Sequence, residues 1–388
     1  MRYLIGVDEA GYGPNLGPLV IAATLWELDA CQIPPSTHPD LYEALGDCVR
    51  AAGKASTDDA RVQIADSKQV YKAGKGLDQL ELGVLSALRS LGFHPHSWQE
   101  LCQTLAAGWL DEADLPNWYA AHVCKLPSAA SEEAVELAAA TFCNAFQKSG
   151  VRLKRVRARM IFPLDFNERI RQRGTKGLLL SEASLQLVAD LLDEIERKSS
   201  MSTHASGASG EELYAGGSTV RPAPFVVASA EQSAQAVVQS QALPTQNHLL
   251  NAPMSSTSSE GETLVFLDKH GGRNKYAGLL QHVIPDGFPI IESEGPRLSS
   301  YRCQSGKRQI RFQFEVGGER HLPVALASMT AKYLREKVMH AFNAFWRAEI
   351  PSLKPTAGYP VDARRFLAEI KEKMCSLEIS ASQIWRDR

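Results

Sequence analysis

The opening of the chain constrains its fold more than any other segment does. An apolar run, Tyr3–Val7, ends in the adjacent carboxylates Asp8 and Glu9, and a stretch rich in glycine and proline then leads into a second apolar run, Leu19–Ala23. This pattern predicts a strand, a tight turn and a second strand. Neighbouring residues on a strand point to opposite faces, so the two acids cannot both face the core. Because hard divalent cations bind carboxylate oxygens, the pattern predicts a cation site where the first strand ends.

The turn that follows these acids carries a recognisable motif. Residues 8–14 read Asp-Glu-Ala-Gly-Tyr-Gly-Pro, which resembles the Asp-Glu-x-Gly-Arg-Gly-Pro signature of ribonuclease HII, with Tyr12 in place of the arginine. The resemblance implies that the backbone of Gly11 and Gly13 contacts the 2′-hydroxyl of a ribonucleotide at an RNA–DNA junction. It also implies that the missing arginine removes a phosphate contact, which weakens affinity more than specificity.

Far along the chain, another apolar run, Thr263–Asp268, also ends in a carboxylate, and glycines follow it shortly afterwards. Its pattern is typical of a buried strand. The run resembles Val-Leu-Ile-Asp-Gly of the same family. That resemblance implies that Asp268 is a third member of the acidic site.

The fourth acid comes from a segment that opens a later helix. Residues 319–336 resemble the family stretch Gly-Asp…Ala-Ala-Ser-Ile-Leu-Ala-Lys-Val-x-Arg-Asp. The resemblance implies that Glu319 is the fourth acid, one residue closer to the helix than usual and one methylene longer than the family's aspartate. Glu315 is the alternative ligand, and Glu336, which matches the Arg-Asp at the end of the stretch, is expected to be secondary.

Four carboxylates with no histidine or cysteine partner suit hard-metal hydrolysis of a phosphodiester better than zinc or redox chemistry. Two Mg²⁺ or Mn²⁺ ions about 4 Å apart would activate the attacking water and stabilise the leaving 3′ oxygen. We expect Asp8 and Asp268 to bridge the metals. Glu9 and Glu319 would complete the ligand shells, so these four residues are the expected catalytic set.

Further substrate contacts follow from the same resemblance. Gly-Tyr-Pro at residues 358–360 matches a family motif, which implies that Tyr359 stacks on the sugar beside the junction; the alternative is a turn tyrosine packed on the last helix. Arg364 stands where the family has a histidine. Asp-Ser-Lys at residues 66–68 resembles the family's Asp-Ser-Lys-Lys, and we expect Ser67 and Lys68 to contact backbone phosphate.

Hydrophobic periodicity along the rest of the chain indicates an α/β fold. It predicts helices over Gly76–Leu91 and Leu178–Lys198, a half-buried strand over Gln309–Val316, and a helix whose first turn contains Pro323. Strands that alternate with helices are typical of this class. The resemblance implies its specific form, a ribonuclease H-like mixed sheet flanked by helices.

The 388 residues are enough for two domains by length alone, but the resemblance favours a single catalytic domain over residues 1–388 with two insertions. Residues 93–150 have no counterpart in the family and predict a helical insertion. Residues 199–262 are rich in Ser, Ala, Gln, Thr and Gly, with five acids and one base. Such a composition buries too little apolar surface to offset chain entropy, so it predicts a disordered insertion.

Charge supports nucleic-acid binding only locally. The net charge is −2, yet residues 150–176 hold nine bases against two acids, and residues 297–354 hold eleven against four. A solvated strand face would explain the first cluster equally well. Seven cysteines show no paired short spacing, no apolar stretch approaches membrane-spanning length, and no leader precedes the first strand. We therefore expect a reduced, cytoplasmic protein that is monomeric and binds no membrane.

Together with the four carboxylates, the resemblance implies a metal-dependent endoribonuclease that acts on RNA–DNA hybrids or on single ribonucleotides in duplex DNA. It would leave 3′-hydroxyl and 5′-phosphate ends, and it would excise misincorporated ribonucleotides. Two alternatives stay open. One is a hybrid-binding protein of the same fold that has lost catalytic power, which the changes at Tyr12 and Glu319 favour. The other is a related metal nuclease with a different nucleic-acid substrate.

Overall fold

A central sheet of seven strands organises the protein. The computed structural model describes residues 2–33, 39–53, 59–72, 76–106, 116–120, 124–204, 261–284, 287–306 and 308–387. The strands, in chain order, are β1 (Arg2–Ala10), β2 (Leu19–Leu28), β3 (Val49–Arg50), β4 (Val62–Gln63), β5 (Val151–Ile161), β6 (Glu262–Asp268), β7 (Ile290–Glu294), β8 (Leu298–Ser305) and β9 (Arg308–Glu315).

Helices cover both faces of this sheet. They are α1 (Leu41–Ala44), α2 (Ser67–Val70), α3 (Asp78–Ser90), α4 (Trp98–Leu105), α5 (Asn117–Ala120), α6 (Glu132–Ser149), α7 (Pro163–Arg173), α8 (Lys176–His204), α9 (Ala277–Val283), α10 (Leu322–Glu349), α11 (Pro360–Ser376) and α12 (Ala381–Ile384). A short 3₁₀ turn, Gly318–Arg320, precedes α10. The predicted fold class, a mixed α/β sheet flanked by helices, is confirmed. No described helix has the length and apolar character that a membrane span requires.

The strand order is β5-β2-β1-β6-β9-β8-β7, with β3 and β4 forming a separate pair. β2 runs antiparallel to both of its neighbours, β5 and β1, whereas β1, β6 and β9 run parallel to one another. In the register, Val7 lies opposite Leu267, and Asp268 lies opposite Glu315. The carboxyl ends of β1, β6 and β9 therefore meet at one edge of the sheet.

Alternation along the central strand builds a core on each face. Leu4 belongs to the core that α10 covers, whereas Ile5 and Val7 belong to the core that α8 covers. Both faces of β1 are buried, which explains its nearly continuous apolar run. The acids at its end therefore project from a strand that is held rigidly from both sides.

The start of α10 lies directly on β1, and Gly6 makes this approach possible. A Cβ atom at residue 6 would overlap the backbone of Pro323 and Val324. The hydroxyl of Thr24, on β2, donates a hydrogen bond of 2.8 Å to the Pro323 carbonyl. Pro323 lies in the first turn of α10, as predicted, where its missing N–H costs no hydrogen bond.

The two predicted insertions differ in what the structure shows. The described part of residues 93–150 carries α4, α5 and α6, and its Trp118 ring lies 5.1 Å from the ring of Phe342 on α10. Most of the predicted disordered insertion, residues 205–260, lies outside the described residues. Its predicted bounds were too wide at both ends, because residues 199–204 continue α8 and residue 262 begins β6. No glycine or proline occurs from residue 178 to residue 205, so the helix can continue past residue 198. Glu262 is held by an ion pair of 2.9 Å to Arg2.

Candidate functional site

Three chain segments bring acidic residues to the edge where the parallel strands end. Asp8 and Asp268 directly follow Val7 and Leu267, the last residues that pair between β1 and β6. The Asp268 Oδ1 atom accepts hydrogen bonds from the N–H groups of Gly317 and Gly318, at 3.1 and 3.4 Å. These bonds tie the 3₁₀ turn to the strand end, so Glu319 faces the same edge. Asp268 and Glu319, about 260 and 310 positions after the β1 acids in the chain, therefore belong to the same site as those acids.

Burial and neighbouring negative charges raise the pKa values of the two acids on β1. Burial raises the pKa of Asp8, which is only 7% exposed, well above its usual value, and the charges of Glu9 and Glu319 raise it further. Burial, and then the charge of Asp268, raises the pKa of Glu9 to about 7. The Glu9 N–H donates a hydrogen bond of 2.8 Å to the Asp8 carboxylate. This bond lowers the pKa of Asp8, but only partly offsets the effects of burial and of the neighbouring charges. A bound cation would therefore reduce the electrostatic repulsion on both acids.

Neighbouring negative charges also act on Glu319, on the other side of the site. Burial raises the pKa of Glu319, and Asp268 and Asp66 add to the effect while Lys68 opposes it. The Lys68 ammonium lies 4.0 Å from the Glu319 carboxylate, with its side chain 81% exposed. Burial alone would lower the pKa of Lys68, but the surrounding acids raise it on balance. Lys68 is thus placed between the acids and solvent.

The two alternative acids have different surroundings. Glu315 is almost fully buried and pairs with Arg320, and His321 Nε2 lies 2.5 Å from its carboxylate. Glu336 accepts from Lys332 at 2.6 Å and from the Tyr71 hydroxyl at 3.0 Å. Both carboxylates are therefore already neutralised by neighbouring side chains. Of the three glutamates considered from the sequence, Glu319 is the one that the structure places among the other acids.

Ser328 was missed from the sequence although it contacts the central acid. Its hydroxyl hydrogen-bonds to Asp8 and lowers the pKa of that carboxyl, against the larger effect of burial. The Ser67 N–H donates to the Ser328 oxygen at 3.3 Å, and the two hydroxyl oxygens lie 3.1 Å apart. Ser67 is buried in this contact. The serine in the family stretch that Ser328 matches was the available signal.

The glycine turn and the predicted stacking residue lie side by side. Gly11 has a φ of +90°, and a Cβ there would lie 2.6 Å from the Pro18 carbonyl oxygen, so this turn requires glycine. A Cβ on Gly13 would lie 3.7 Å from the ring of Tyr359. That ring is 55% exposed. An open aromatic face therefore borders the turn, and Arg364 follows on the exposed side of α11.

Tyr12 faces the other side of the turn. The Lys176 ammonium, at the start of α8, lies 4.3 Å from the centre of the Tyr12 ring. Burial raises the pKa of the Tyr12 hydroxyl, and the charge of Glu9 adds to this while Arg273 opposes it. Cations from two other segments therefore surround the position where the family motif has an arginine.

The basic cluster at residues 150–176 is largely paired within the chain. Arg155 and Arg157 share Glu194, at 2.9 and 2.7 Å, and Arg169 binds Asp165 at 2.6 Å. These contacts occupy part of the cluster within the chain, as the alternative explanation of a strand face would require.

The donor set has the chemistry of a hard-cation site, although its geometry is open. Among the described residues, no three aspartate, glutamate, histidine or cysteine side chains close around one metal position. Asp8, Glu9, Asp268 and Glu319 offer only carboxylate oxygens, and three of them have raised pKa values because of burial and mutual repulsion. Mg²⁺ and Mn²⁺ prefer such ligands and retain several sites for water and phosphate oxygens. The residues therefore fit these ions.

Comparison with known proteins gives only distant likenesses. No protein-family model matches the chain, and no curated protein matches it. Among solved structures, it is similar to the RNase HII in a PCNA:RNase HII complex from Archaeoglobus fulgidus, with 13% identity over 99% of this chain and 94% of that one and a TM-score of 0.38. It is also similar to the ribonuclease H2 from Pyrococcus horikoshii, with 12% identity over 99% and 92% of the two chains and a TM-score of 0.37. Likenesses of this size do not establish a family or an activity.

Proposed function

We propose that this protein is a metal-dependent endoribonuclease of the ribonuclease HII type. Its substrate would be RNA in RNA–DNA hybrids or single ribonucleotides in duplex DNA, and its products would carry 3′-hydroxyl and 5′-phosphate ends. One observation carries the proposal: Asp8, Glu9, Asp268 and Glu319 share one edge of the sheet. The glycine turn and an exposed tyrosine adjoin that edge.

The acids would hold Mg²⁺ or Mn²⁺, with Asp8 and Asp268 central and Glu9 and Glu319 at the sides. Bound there, the cations would polarise the scissile phosphate and lower the pKa of the attacking water. Ser328, whose hydroxyl lowers the pKa of Asp8, would help to orient that carboxylate. Lys68, beside Glu319 and open to solvent, would contact a backbone phosphate.

Recognition of the ribonucleotide would fall to the turn and to Tyr359. The backbone of Gly11 and Gly13 would contact the 2′-hydroxyl, which is the group that distinguishes RNA from DNA. The Tyr359 ring, exposed beside Gly13, would stack on the neighbouring sugar. Such a division of contacts suits the removal of misincorporated ribonucleotides from duplex DNA.

The test uses two end-labelled DNA duplexes that differ only in one ribonucleotide. We expect the protein to nick the ribonucleotide-containing strand in Mg²⁺ or Mn²⁺, to leave the all-deoxy duplex intact, and to be inactive with EDTA. Ligation and phosphatase treatment identify the product ends. Binding of both duplexes without cleavage would instead favour the hybrid-binding alternative. Cleavage of both duplexes would favour a nuclease with another substrate.

A further inference from the structure

A buried arginine from the end of the described chain lies beneath the glycine turn. Arg386 is 1% exposed. Its Nη2 atom donates to the carbonyl of Gly11 at 2.5 Å and also to the carbonyl of Pro14. The Arg386 N–H donates to the Asn15 carbonyl at 2.8 Å, and the Asn15 side-chain amide donates back at 3.1 Å. Residue 386 is thus bonded to three carbonyls of one turn that lies some 370 positions earlier.

A second arginine completes this arrangement from α10. The Arg335 Nη2 atom donates to the carbonyls of Leu16 and Ala357, at 3.4 and 3.0 Å. A Cβ on Gly11 would lie 2.6 Å from Arg335 Nε. Every carbonyl from Pro14 to Leu16, together with that of Gly11, therefore accepts a hydrogen bond from Arg335 or Arg386.

The opposite edge of the turn is left with unused donors. Within the described part of the chain, the N–H groups of Tyr12 and Gly13 form no hydrogen bond. The N–H groups of Asn15 and Leu16, in contrast, both donate to the Gly358 carbonyl. A turn whose carbonyls are held on one side presents its remaining N–H groups on the other. Such successive N–H groups form a site for an oxygen ligand.

Arg386 is a costly way to stabilise a fold. It forms no ion pair with any described carboxylate, and its Nε and Nη1 atoms have no hydrogen-bond partner there. Burial, and then the charge of Arg335, lowers the pKa of Arg386 to about 9. Besides its carbonyl partners, the guanidinium faces the ring of Phe166, whose centre lies 4.8 Å from the guanidinium carbon. A buried charge with incomplete partners is weak evidence of a stabilising role.

We infer that Arg386 is a positioning residue that holds the carbonyls of the Gly11–Pro14 turn inward so that the N–H groups of Tyr12 and Gly13 face the substrate ribose. The inference rests on the proposed function, because the ribose 2′-hydroxyl is the group that these donors would contact. Arg386 itself does not touch the substrate. Its effect would fall on discrimination between ribonucleotide and deoxyribonucleotide and not on the chemical step.

Cleavage kinetics with a competitor test this role. The KM of a duplex with one ribonucleotide is compared with the inhibition constant of the matched all-deoxy duplex. For Arg386→Met, which keeps an unbranched apolar side chain but removes the guanidinium donors, we expect KM to rise about tenfold, as for the loss of one hydrogen bond. The all-deoxy inhibition constant should change less than about twofold, because phosphate contacts are untouched. Arg386→Lys, which keeps one donor group, should fall between wild type and Arg386→Met.

Arg89→Met is the matched control. Arg89 is also a buried arginine, but it lies on α3 and pairs with Glu132 and Glu136. It should lose thermal stability without any change in the ratio of the two constants. If Arg386→Met does not fold, Arg386→Lys alone decides the outcome: a raised ratio of KM to the all-deoxy inhibition constant supports the role, and an unchanged ratio overturns it.

Two failures are distinguishable. A wild-type protein that does not cleave the ribonucleotide-containing duplex contradicts the proposed function. A wild-type protein that does cleave it, with an Arg386→Met variant whose ratio is unchanged or whose two constants rise together, contradicts only the role of Arg386.

Discussion

At the scale of single residues, two glutamates four positions apart have opposite environments. Glu315 is bound by Arg320 and His321, whereas Glu319 faces Asp268 and has Lys68 as its nearest cation. The first is the central member of an ion-paired group. The second is a carboxylate that has unused ligand capacity.

Substitution of the two glutamates should therefore have different consequences. Glu319→Gln should lower the cleavage rate by about 100-fold and raise the metal concentration needed for activity, because it removes a ligand oxygen charge. Glu319→Asp should also lower the cleavage rate. The segment between residue 319 and α10 is one residue shorter than in the family, and this spacing suits the longer glutamate side chain. The measurement is the cleavage rate as a function of Mg²⁺ or Mn²⁺ concentration.

Glu315→Gln should affect stability instead. It should lower the free energy of unfolding by about 2 kcal/mol, less than for a fully buried pair because Arg320 is exposed. Glu336→Gln should leave the metal requirement unchanged. An inactive Glu315→Gln variant beside a fully active Glu319→Gln variant would show that the fourth ligand is misassigned.

Glu9 gives a prediction in pH. Its folded-state pKa, about 7, lies above the ordinary value of 4.5, so the folded protein binds the proton more tightly than the unfolded chain does. Ionisation of Glu9 therefore destabilises the metal-free fold progressively as the pH rises from about 4.5 to 7, by at most about 3 kcal/mol. Glu9→Gln should gain stability over wild type as the pH rises from 5 to 8 in EDTA. Urea unfolding at several pH values measures this, and a difference that shrinks with pH would contradict it.

The sequence identified most acids of the site but few of their supports. Asp8, Glu9 and Asp268 could be predicted because each ends an apolar run, a signal that is local. Glu319 required the family stretch, since nothing in its immediate neighbours separates it from Glu315. Arg386 has no local signal, because its contacts with residues 11–15 exist only after the chain has folded.

At the scale of elements, the contact between β1 and α10 fixes the site. Gly6 allows the first turn of α10 to lie on the strand, and Ser328 then lies about one turn further along, beside Asp8. The helix was predicted from its periodicity and from Pro323. Its distance from β1 could not be predicted, because that distance depends on one missing side chain.

Gly6→Ala should therefore destabilise the protein by about 2–3 kcal/mol, because a methyl group would overlap the α10 backbone. Gly278→Ala is the control, since a Cβ at that position in α9 meets nothing within 4 Å. The control should change stability by less than about 1 kcal/mol. Thermal and urea unfolding measure the stability of the two variants. Equal losses of stability would mean that β1 and α10 leave room for a methyl group at residue 6.

At the scale of the whole molecule, the sheet order explains how distant segments share one site. β6 lies between β1 and β9, so their carboxyl ends form a continuous edge although residues 8 and 268 are far apart in the chain. Composition and periodicity predicted the α/β class. The order of the strands and the contact of α11 and residue 386 with the first turn follow from long-range pairing, which periodicity does not encode.

Residues 205–258 should be dispensable for this architecture. All seven strands and both cores form from residues outside that segment, and loop-closure entropy changes by only about 0.6 kcal/mol for a twofold change in loop length. A variant lacking residues 205–258 should keep its melting temperature and its cleavage rate within about twofold. Insoluble or inactive protein would show that the segment packs on the described core.

The central claim is that the edge formed by β1 and β6 is a phosphodiester-cleaving centre, and Asp8→Asn tests it most directly. The measurement compares wild type and Asp8→Asn on one duplex with a single ribonucleotide, recording cleavage, binding and melting temperature together. We predict that the variant produces no nick, binds the duplex within about twofold of wild type because phosphate contacts are retained, and melts no lower without metal because a buried repulsive charge is removed. An Asp8→Asn variant that still cleaves, or that loses binding and stability together, would contradict the account.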